Sequence, residues 1–335
     1  MWSSVRVLPV TRQELNLDVV LRCGQSFRWK LTKDSCWLST LRGQIYRLRQ
    51  SDKGVEYQVW LAEMSQNGEA KADRQFPPGS PEDTLRDFLQ LDVSLTQLYK
   101  KWTTDPLFRG DILPGVRILR QEPLECLMSF ILSSCNNISR ISQMVDKLCG
   151  YGPQLAVVDG VPYHDFPCLE NLVSVGAALE LKLRQAGFGY RAVYVAKAIR
   201  SLSERGGEKW LRGLRDAPYE SARAELMTLA GVGRKVADCV CLMSLNKPVA
   251  VPVDTHVFQI ARQHMDSLKH VDKCSPTVYP RIVEWFTSRF GEWSGWAQGV
   301  LFASRVRQDS LKSEVVHNNN ANYRKGNKRK RNDPH

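Results

Sequence analysis

The chain has 335 residues, and its 47 lysines and arginines outnumber its 35 aspartates and glutamates, which gives a formal net charge of +12. This length is enough for two or three modest domains, and a basic surface favours a polyanionic partner, with nucleic acid as the leading class. No stretch approaches the roughly 20 uninterrupted apolar residues of a membrane span, and the N-terminus lacks the apolar region of a secretory signal. We therefore expect a soluble, intracellular protein with no membrane partner.

Residues 25–60 alternate between apolar and polar positions around turn-forming residues. This period of two predicts an antiparallel sheet. The segment 65–81 that follows is polar and ends in the sequence PPGSP. Such a composition is typical of a surface loop or a disordered insert.

Apolar residues at helical spacing dominate the chain from about residue 83 onward. The fold class predicted from these elements is α+β, with a sheet followed by mostly helical domains. The predicted helices cover 83–89, 93–102, 123–134, 137–148, 170–186, 191–203, 219–230, 234–245, 257–263, 280–290 and 296–304.

The sequence LAGVGRKVADC at 229–239 is the most informative segment of the chain. Gly231 and Gly233 flank one valine between two predicted helices, so the backbone turns sharply and presents amide groups suited to a phosphate. Lys235 and Cys239 follow at positions i and i+4 and share a helix face with apolar residues. Burial disfavours the charged form of such an amine, which makes Lys235 a candidate nucleophile. The alternative is an ordinary lysine whose head group stays in water.

A carboxylate follows this lysine in the sequence VPVDTH at 251–256. Pro252 forbids helix before Asp254, and an apolar helical pattern begins after it, so we predict that Asp254 caps a helix N-terminus. There it would stay ionised and could stabilise a cationic transition state. His256, in the first turn of the same helix, lies where phosphate oxygens bind, although an ordinary exposed histidine explains it equally well.

Nine cysteines are spread along the chain, and only Cys239 and Cys241 lie close together. Because a spacing of two points their side chains apart on a helix, we interpret all nine as reduced thiols and expect no metal site.

The segment 309–335 is polar and cannot bury enough apolar surface to fold, so we predict a disordered basic tail. Its cluster Lys328, Arg329, Lys330 and Arg331 is typical of a nuclear-import signal, with non-specific attraction to DNA as the alternative. The sequence leaves open whether some copies enter mitochondria.

Five separated segments, together with the hairpin and the downstream carboxylate, resemble the eukaryotic 8-oxoguanine DNA glycosylases of the helix-hairpin-helix superfamily. The likeness runs in matching order from about residue 7 to residue 308. It implies a sheet domain of TATA-binding-protein-like topology over 1–112 and two helical domains over 113–308, with the active cleft between the helical domains. The segments are GQSFRW at 24–29, SFILSSCNNISRI at 129–141, GFGYRA at 187–192, CLMSLNKPVAVPVDTH at 241–256 and GWAQGVLF at 295–302.

The resemblance implies that a flipped base enters a pocket made by six residues, of which Asp254 is one. The carbonyl of Gly24 would accept the proton that 8-oxoguanine carries on N7 and guanine lacks. Gln298 and Phe302, at positions i and i+4, would bring an amide and a ring to one side of the base. Cys239 would close the other side, and Pro252 would line the pocket.

The resemblance also implies contacts to the DNA around the lesion. Arg140 and Arg191 would recognise the cytosine opposite the extruded base, and Tyr190 would wedge the stack; phosphate contacts are the alternative for the arginines. The amides of Gly231 and Gly233 would hold phosphates together with His256.

Two positions depart from the family pattern. Cys135, followed by Asn136 and Asn137, stands where the family has three asparagines in succession. Because Cys135 cannot supply an amide, we expect altered discrimination of the opposite base, or Asn136 in its place. Arg305 stands where an acidic residue is expected near His256.

The activity implied is that of a bifunctional glycosylase and lyase without a cofactor. Lys235 would attack the sugar as the glycosidic bond breaks, Asp254 would stabilise the developing charge, and elimination would then nick the strand. Ring-opened formamidopyrimidine purines are further expected substrates. We expect a monomer that acts on double-stranded DNA containing oxidised guanine, with downstream repair proteins such as an AP endonuclease as partners.

Two alternatives remain open from the sequence. One is a glycosylase of the same fold for another base, which the combination of pocket residues disfavours. The other is a catalytically inert helix-hairpin-helix DNA-binding protein, which the presence of both Lys235 and Asp254 disfavours.

Overall fold

The computed structural model describes residues 1–61 and 79–307. Most of the predicted loop at 65–81 and the predicted basic tail at 309–335 lie outside these residues, so both stay predictions. Within the two described ranges, no helix is long and apolar enough to cross a membrane.

An antiparallel sheet of five strands forms the N-terminal part of the chain, as the period of two predicts. The strands are β1 (Arg6–Leu8), β2 (Lys30–Leu31), β3 (Trp37–Leu41), β4 (Gln44–Ser51) and β5 (Gly54–Val59). Their order across the sheet is β1-β5-β4-β3-β2. Tyr46, Leu48 and Tyr57 from the central strands are buried in one core with Phe88.

Helices make up most of the rest of the described chain, which confirms the predicted α+β class. A short hairpin, β6 (Gln154–Val158) and β7 (Val161–His164), interrupts them. The helices are α1 (Leu17–Val20), α2 (Pro81–Phe88), α3 (Leu95–Trp102), α4 (Pro123–Leu132), α5 (Ile138–Cys149), α6 (Leu169–Val173), α7 (Ala178–Gln185), α8 (Arg191–Glu204), α9 (Gly207–Gly213), α10 (Tyr219–Met227), α11 (Arg234–Ser244), α12 (Thr255–His264), α13 (Val278–Phe290) and α14, which begins at residue 294 and reaches residue 307 at the end of the described chain.

The predicted elements differ from the structure at several places. The predicted helix at 170–186 is two helices, α6 and α7, because Gly176 adopts a positive φ of 65° between them. Strand β1, helices α1 and α9 and the β6–β7 hairpin were not predicted. The hairpin turns at Asp159 and Gly160, both with positive φ, and this Asp-Gly pair is a recognised hairpin sequence.

Helix α4 lies at the centre of the larger core. All its side chains except Glu125 are fully buried, and it packs against α5, α8, α9 and α11. Its Glu125 pairs with buried Arg28, which follows α1 in the N-terminal region, at 2.8 Å. Arg28 also donates to the carbonyl of His164 at the end of β7. One guanidinium thus joins the N-terminal region, the central helix and the β6–β7 hairpin.

Candidate active site

The Gly-Val-Gly turn lies between α10 and α11, as predicted. Gly231 has a φ of 81°, and a Cβ added there would lie 2.7 Å from the Cβ of Tyr194 on α8. Both the backbone conformation and the space therefore require glycine. Gly233 precedes α11, and none of the described side chains caps the amides of its first turn. Those amides are available for a phosphate.

Lys235 lies in the first turn of α11 and is half-buried. Its Nζ is 5.0 Å from the ring centroid of Phe130 and donates to the Oγ of Ser133 at 3.4 Å. Both partners come from the region of α4. Lys235 therefore lies on the predicted helix face. Its amine lies between the ring of Phe130 and the hydroxyl of Ser133 at the end of α4.

Cys239 lies one turn further along α11 and is only 2% exposed. Burial raises the pKa of its thiol to about 11; the charge of Lys235 acts against this rise and that of Asp254 adds to it. The thiol is therefore protonated at neutral pH. The charges of Lys235 and Asp254 therefore both act on the thiol of Cys239.

Asp254 caps the N-terminus of α12, which confirms the predicted cap. Its Oδ1 accepts from the backbone N–H of Val257 at 2.9 Å. The carboxylate is half-buried, and Pro252 just before it is buried. The cap fixes the direction of the carboxylate.

Helix α14 carries Gln298 and Phe302 on one face, as their spacing predicts. Gln298 is buried and Phe302 is half-buried. The Phe302 ring meets the ring of His256 edge to face, with centroids 5.7 Å apart. The structure therefore brings together α14 and the first turn of α12.

Gly24 has a φ of 79° and faces the start of α5, where an added Cβ would lie 3.3 Å from the Cδ1 of Ile138. The next residue, Gln25, anchors this segment, because its amide donates to the carbonyl of Arg117 and accepts from the N–H of Leu119. The backbone at Gly24 is thus held in place beside the end of the segment 135–137.

Two backbone carbonyls tie the segment 134–137 to Tyr190 and Arg191 at the start of α8. Ser134 O accepts from the Tyr190 hydroxyl at 3.0 Å and from the Arg191 guanidinium at 2.5 Å. Arg191 also donates to Cys135 O, is buried, and lies 4.5 Å from the Tyr190 ring centroid. Tyr190 itself is 48% exposed. Its ring therefore projects from the surface, whereas the Arg191 side chain does not.

Three other residues predicted to contact the DNA in this region, Cys135, Asn136 and Arg140, point in different directions. Cys135 is exposed and has a positive φ of 47°, and Arg140 is exposed and donates to Gly187 O at 3.5 Å. The Asn136 amide turns inward and donates to Leu132 O. In this conformation Asn136 does not present its amide to the outside, so it would have to rotate to replace Cys135.

One group in this region was missed by the sequence reasoning. Asp238, next to Cys239 on α11, is fully buried and contacts side chains of α10 and α13. Desolvation raises the pKa of Asp238 to about 6. The only local indication was an acidic residue within an otherwise apolar helix, since its partners lie far away in the sequence.

Comparison with known proteins supports the resemblance. Residues 7–127 match the sequence profile of the N-terminal domain of 8-oxoguanine DNA glycosylase. The N-glycosylase/DNA lyase OGG1 of Arabidopsis thaliana is 40% identical over 307 residues, with 89% of this chain and 80% of the relative covered. The chain belongs to the 8-oxoguanine N-glycosylase/DNA lyase family.

A second N-glycosylase/DNA lyase, from Saccharomyces cerevisiae, is 37% identical over 330 residues, covering 89% of this chain and 85% of the relative. The fold is shared with the Clostridium acetobutylicum 8-oxoguanine glycosylase/lyase solved in complex with dsDNA containing cytosine opposite 8-oxoG. That match has a TM-score of 0.72 and 24% identity, and covers 88% of this chain and 93% of the other.

As an N-glycosylase/DNA lyase, the chain is a bifunctional DNA repair enzyme, which confirms the predicted enzyme class. The alternative of a catalytically inert DNA-binding protein is therefore not supported. The residue assignments, the domain boundaries at 112 and 308 and the cellular location stay predictions.

Arg305, one of the two departures of this N-glycosylase/DNA lyase from the family pattern, lies on α14. It lies three residues after Phe302 and is half-buried, so the unexpected charge is on the helix that contacts His256. All nine cysteines are free thiols in the structure. Among the described residues, no group of three or more His, Cys, Asp or Glu side chains is arranged to hold a metal ion.

Proposed function

We propose that this enzyme removes 8-oxoguanine paired with cytosine from duplex DNA and then nicks the strand, with Lys235 as nucleophile. The observation that carries the proposal is the placement of the Lys235 amine between Phe130, Ser133 and Cys239, with the Asp254 carboxylate acting on the same thiol. A nucleophile and an anion in one partly buried neighbourhood are what glycosidic cleavage through an amine requires.

In the proposed reaction, the unprotonated Lys235 nitrogen forms a bond to C1′ as the bond from C1′ to the base nitrogen breaks. The electron pair of that bond leaves with the base, which takes up a proton. Asp254 stabilises the positive charge that develops on the sugar. The C1′–O4′ bond then breaks, its electron pair and the remaining proton of the nitrogen go to O4′, and an imine is left between Lys235 and C1′. Loss of a proton from C2′ expels the 3′ phosphate and cuts the strand.

Discrimination of the base is assigned to the pocket residues. The Gly24 carbonyl, held by the anchored Gln25, would accept the N7 proton of 8-oxoguanine, and Gln298 and Phe302 would approach the base from α14. Ring-opened formamidopyrimidine purines that carry a comparable N–H donor are further proposed substrates. Family membership supports this pocket, since the profile that includes Gly24 is that of 8-oxoguanine DNA glycosylase.

Recognition of the opposite base is assigned to Arg140, Arg191 and Tyr190; Arg191 is buried against Ser134 O and Cys135 O and would have to leave these bonds to reach the base. The Clostridium acetobutylicum relative was solved on DNA with cytosine opposite 8-oxoG, which supports cytosine as the partner base here. The exposed Cys135 lies beside these residues and offers no amide. We therefore expect Cys135→Asn to sharpen the preference for cytosine over the other three opposite bases. Excision rates on the four duplexes measure this, and an unchanged ratio would contradict the assignment.

Borohydride trapping on a duplex with 8-oxoguanine opposite cytosine tests the proposed chemistry. We expect the wild-type enzyme to form a covalent adduct and Lys235→Gln to form none while still binding the duplex. Lys182→Gln is the matched control, because Lys182 is an exposed lysine on α7, and it should trap like the wild type. Base release by Lys235→Gln would contradict the assignment of Lys235 as nucleophile. Failure of the wild-type enzyme to form an adduct would contradict the proposed reaction.

We also propose that the cluster at 328–331 directs the protein to the nucleus. Replacing its four basic residues by glutamine in a full-length fluorescent fusion should shift the fusion to the cytoplasm. Retention in the nucleus would leave the cluster with DNA attraction as its role.

A further inference from the structure

A buried polar network lies directly behind the proposed nucleophile. Asp238 on α11 is fully buried, and its Oδ1 accepts from the Tyr219 hydroxyl of α10 at 2.7 Å. Its Oδ2 accepts from the Tyr279 hydroxyl of α13 at 2.6 Å. The Nε of Arg223 lies 2.9 Å from Oδ1. The carboxylate is therefore paired on both oxygens, by groups from two other helices.

The two tyrosines differ in what else they touch. The Tyr279 oxygen accepts from the backbone N–H of Val253 at 3.1 Å, and its hydroxyl also lies 3.4 Å from Val251 O. Val253 is buried and directly precedes Asp254. Tyr279 thus forms a two-bond connection from the helix of Lys235 to the segment that carries Asp254. Tyr219 makes no such bond among the described contacts.

This connection bears on the reaction because the segment 251–254 lies between α11 and α12 without regular structure of its own. The Asp254 cap fixes the carboxylate to α12, and the Tyr279 bond fixes the residue before it to α11. Without the hydroxyl, the buried N–H of Val253 has no other partner in the described structure, and such an amide tends to shift toward one. A shift there moves Asp254 relative to Lys235.

We propose that Tyr279, held by Asp238, is a positioning residue that sets the placement of Asp254 relative to the Lys235 amine. The inference rests on the proposed function, because it assumes that these two groups carry out the chemistry. Errors of about 1 Å in such placement cost up to about a hundredfold in rate. The network then acts on the rate of base release and not on the affinity for DNA.

Tyr279→Phe and Tyr219→Phe form a matched pair that tests this. Each removes one phenol hydrogen bond to the same carboxylate, and only the first releases Val253. Under single-turnover conditions with 8-oxoguanine opposite cytosine, we expect Tyr279→Phe to slow base release at least about tenfold and Tyr219→Phe less than about threefold. The dissociation constant for the duplex should stay within about twofold for both, since neither side chain lies among the proposed DNA contacts.

A second readout separates positioning from general loosening of the site. A duplex with a preformed abasic site needs Lys235 to form the imine but needs no glycosidic cleavage, so Asp254 contributes less. We expect Tyr279→Phe to trap on this duplex within about threefold of the wild type. Equal slowing on both duplexes, or equal slowing by both tyrosine variants, would overturn the proposal.

Asp238→Asn is a second variant that tests the positioning role of Tyr279 if Tyr279→Phe does not fold. The amide retains an acceptor for Tyr279 but loses the charge, so we expect base release to slow by about three- to tenfold with unchanged affinity. A rate equal to that of the wild type would contradict the inference. The proposed function is judged separately, since it fails only if the wild-type enzyme forms no adduct or if Lys235→Gln still does.

Discussion

At the scale of single residues, the structure distinguishes the two glycines of the hairpin. Gly231 has a positive φ and no room for a Cβ, whereas Gly233 has a φ of −91° and nothing within 4 Å of an added Cβ. The sequence motif shows two equivalent glycines. The structure shows that one of them is required by the backbone and the other keeps the helix end open to a ligand.

Gly231→Ala should therefore destabilise the protein much more than Gly233→Ala. Forcing alanine into a positive φ and against Tyr194 should cost about 3 kcal/mol of unfolding free energy. Alanine at 233 meets neither obstacle and should cost less than about 1 kcal/mol. Urea unfolding of the two variants measures the difference, and equal losses would show that the contact with Tyr194 does not constrain the turn.

The buried carboxylate of Asp238 makes the stability of the protein depend on pH. Burial raises its pKa from the ordinary value of 3.8 to about 6. The folded state therefore binds this proton more tightly than the unfolded state does. The groups that face Asp238 are Tyr219, Glu220 and Arg223 from α10, Tyr279 from α13 and Cys241 from its own helix.

The contribution of Asp238 to stability is consequently largest below its unfolded pKa and is lost as the pH rises through about 6. Asp238→Asn removes this titration. We expect the unfolding free energy of the wild type, relative to the variant, to fall by roughly 2–3 kcal/mol between about pH 4 and pH 7. Urea unfolding across that range tests the sign, and a difference that rises with pH would mean that Arg223 outweighs desolvation.

At the scale of elements, the buried pair of Arg28 and Glu125 joins the N-terminal region to α4. Burial raises the pKa of Glu125, and the charge of Arg28 opposes this rise. Arg28 also lies 3.7 Å from Asp165, which is buried, so one cation compensates two acidic side chains. Removing it takes the paired guanidinium away from Glu125.

We expect Arg28→Met to lower the unfolding free energy by about 3–5 kcal/mol, because it breaks a buried ion pair on one side only. Arg49→Met is the control, since Arg49 pairs with Glu56 on the exposed surface of the sheet. Its unfolding midpoint should be unchanged. Similar shifts in the two denaturation curves would show that the Arg28 pair adds nothing beyond a surface contact.

Local patterns predicted the elements that depend on local causes. The period of two predicted the sheet, the paired glycines predicted the hairpin, and Pro252 with Val257 predicted the Asp254 cap. The split between α6 and α7 depends on a single Gly176 in an otherwise regular helical pattern. The Asp238 network was not predictable, because its partners on α10 and α13 meet only after the helices pack.

At the scale of the whole molecule, positive charge is divided between the folded body and the basic tail. The segment 309–335 holds seven lysines and arginines against the three acidic residues Asp309, Glu314 and Asp333, a net charge of +4, which leaves +8 of the total +12 on the rest of the chain. Attraction to DNA should therefore come from both parts, with the larger share from the body.

Deleting 309–335 should make the dependence of DNA binding on salt shallower without abolishing it. Each phosphate contact contributes a slope of about 0.9 in a plot of log affinity against log salt concentration. We expect less than half of the slope to disappear, and base release at low salt to be retained. A slope near zero in the truncated protein would assign the attraction to the tail alone.

Helix α8 has a mechanical consequence for the DNA. Tyr190 immediately before the helix and Tyr194 in its first turn are in ring contact, 5.8 Å apart, and Tyr194 packs against Gly231 of the hairpin. The proposed wedge therefore lies at the start of α8, and the proposed phosphate-binding hairpin packs against the first turn of the same helix. The protein therefore fixes the distance between the gap in the base stack and the bound phosphate. The duplex must deform to match this distance.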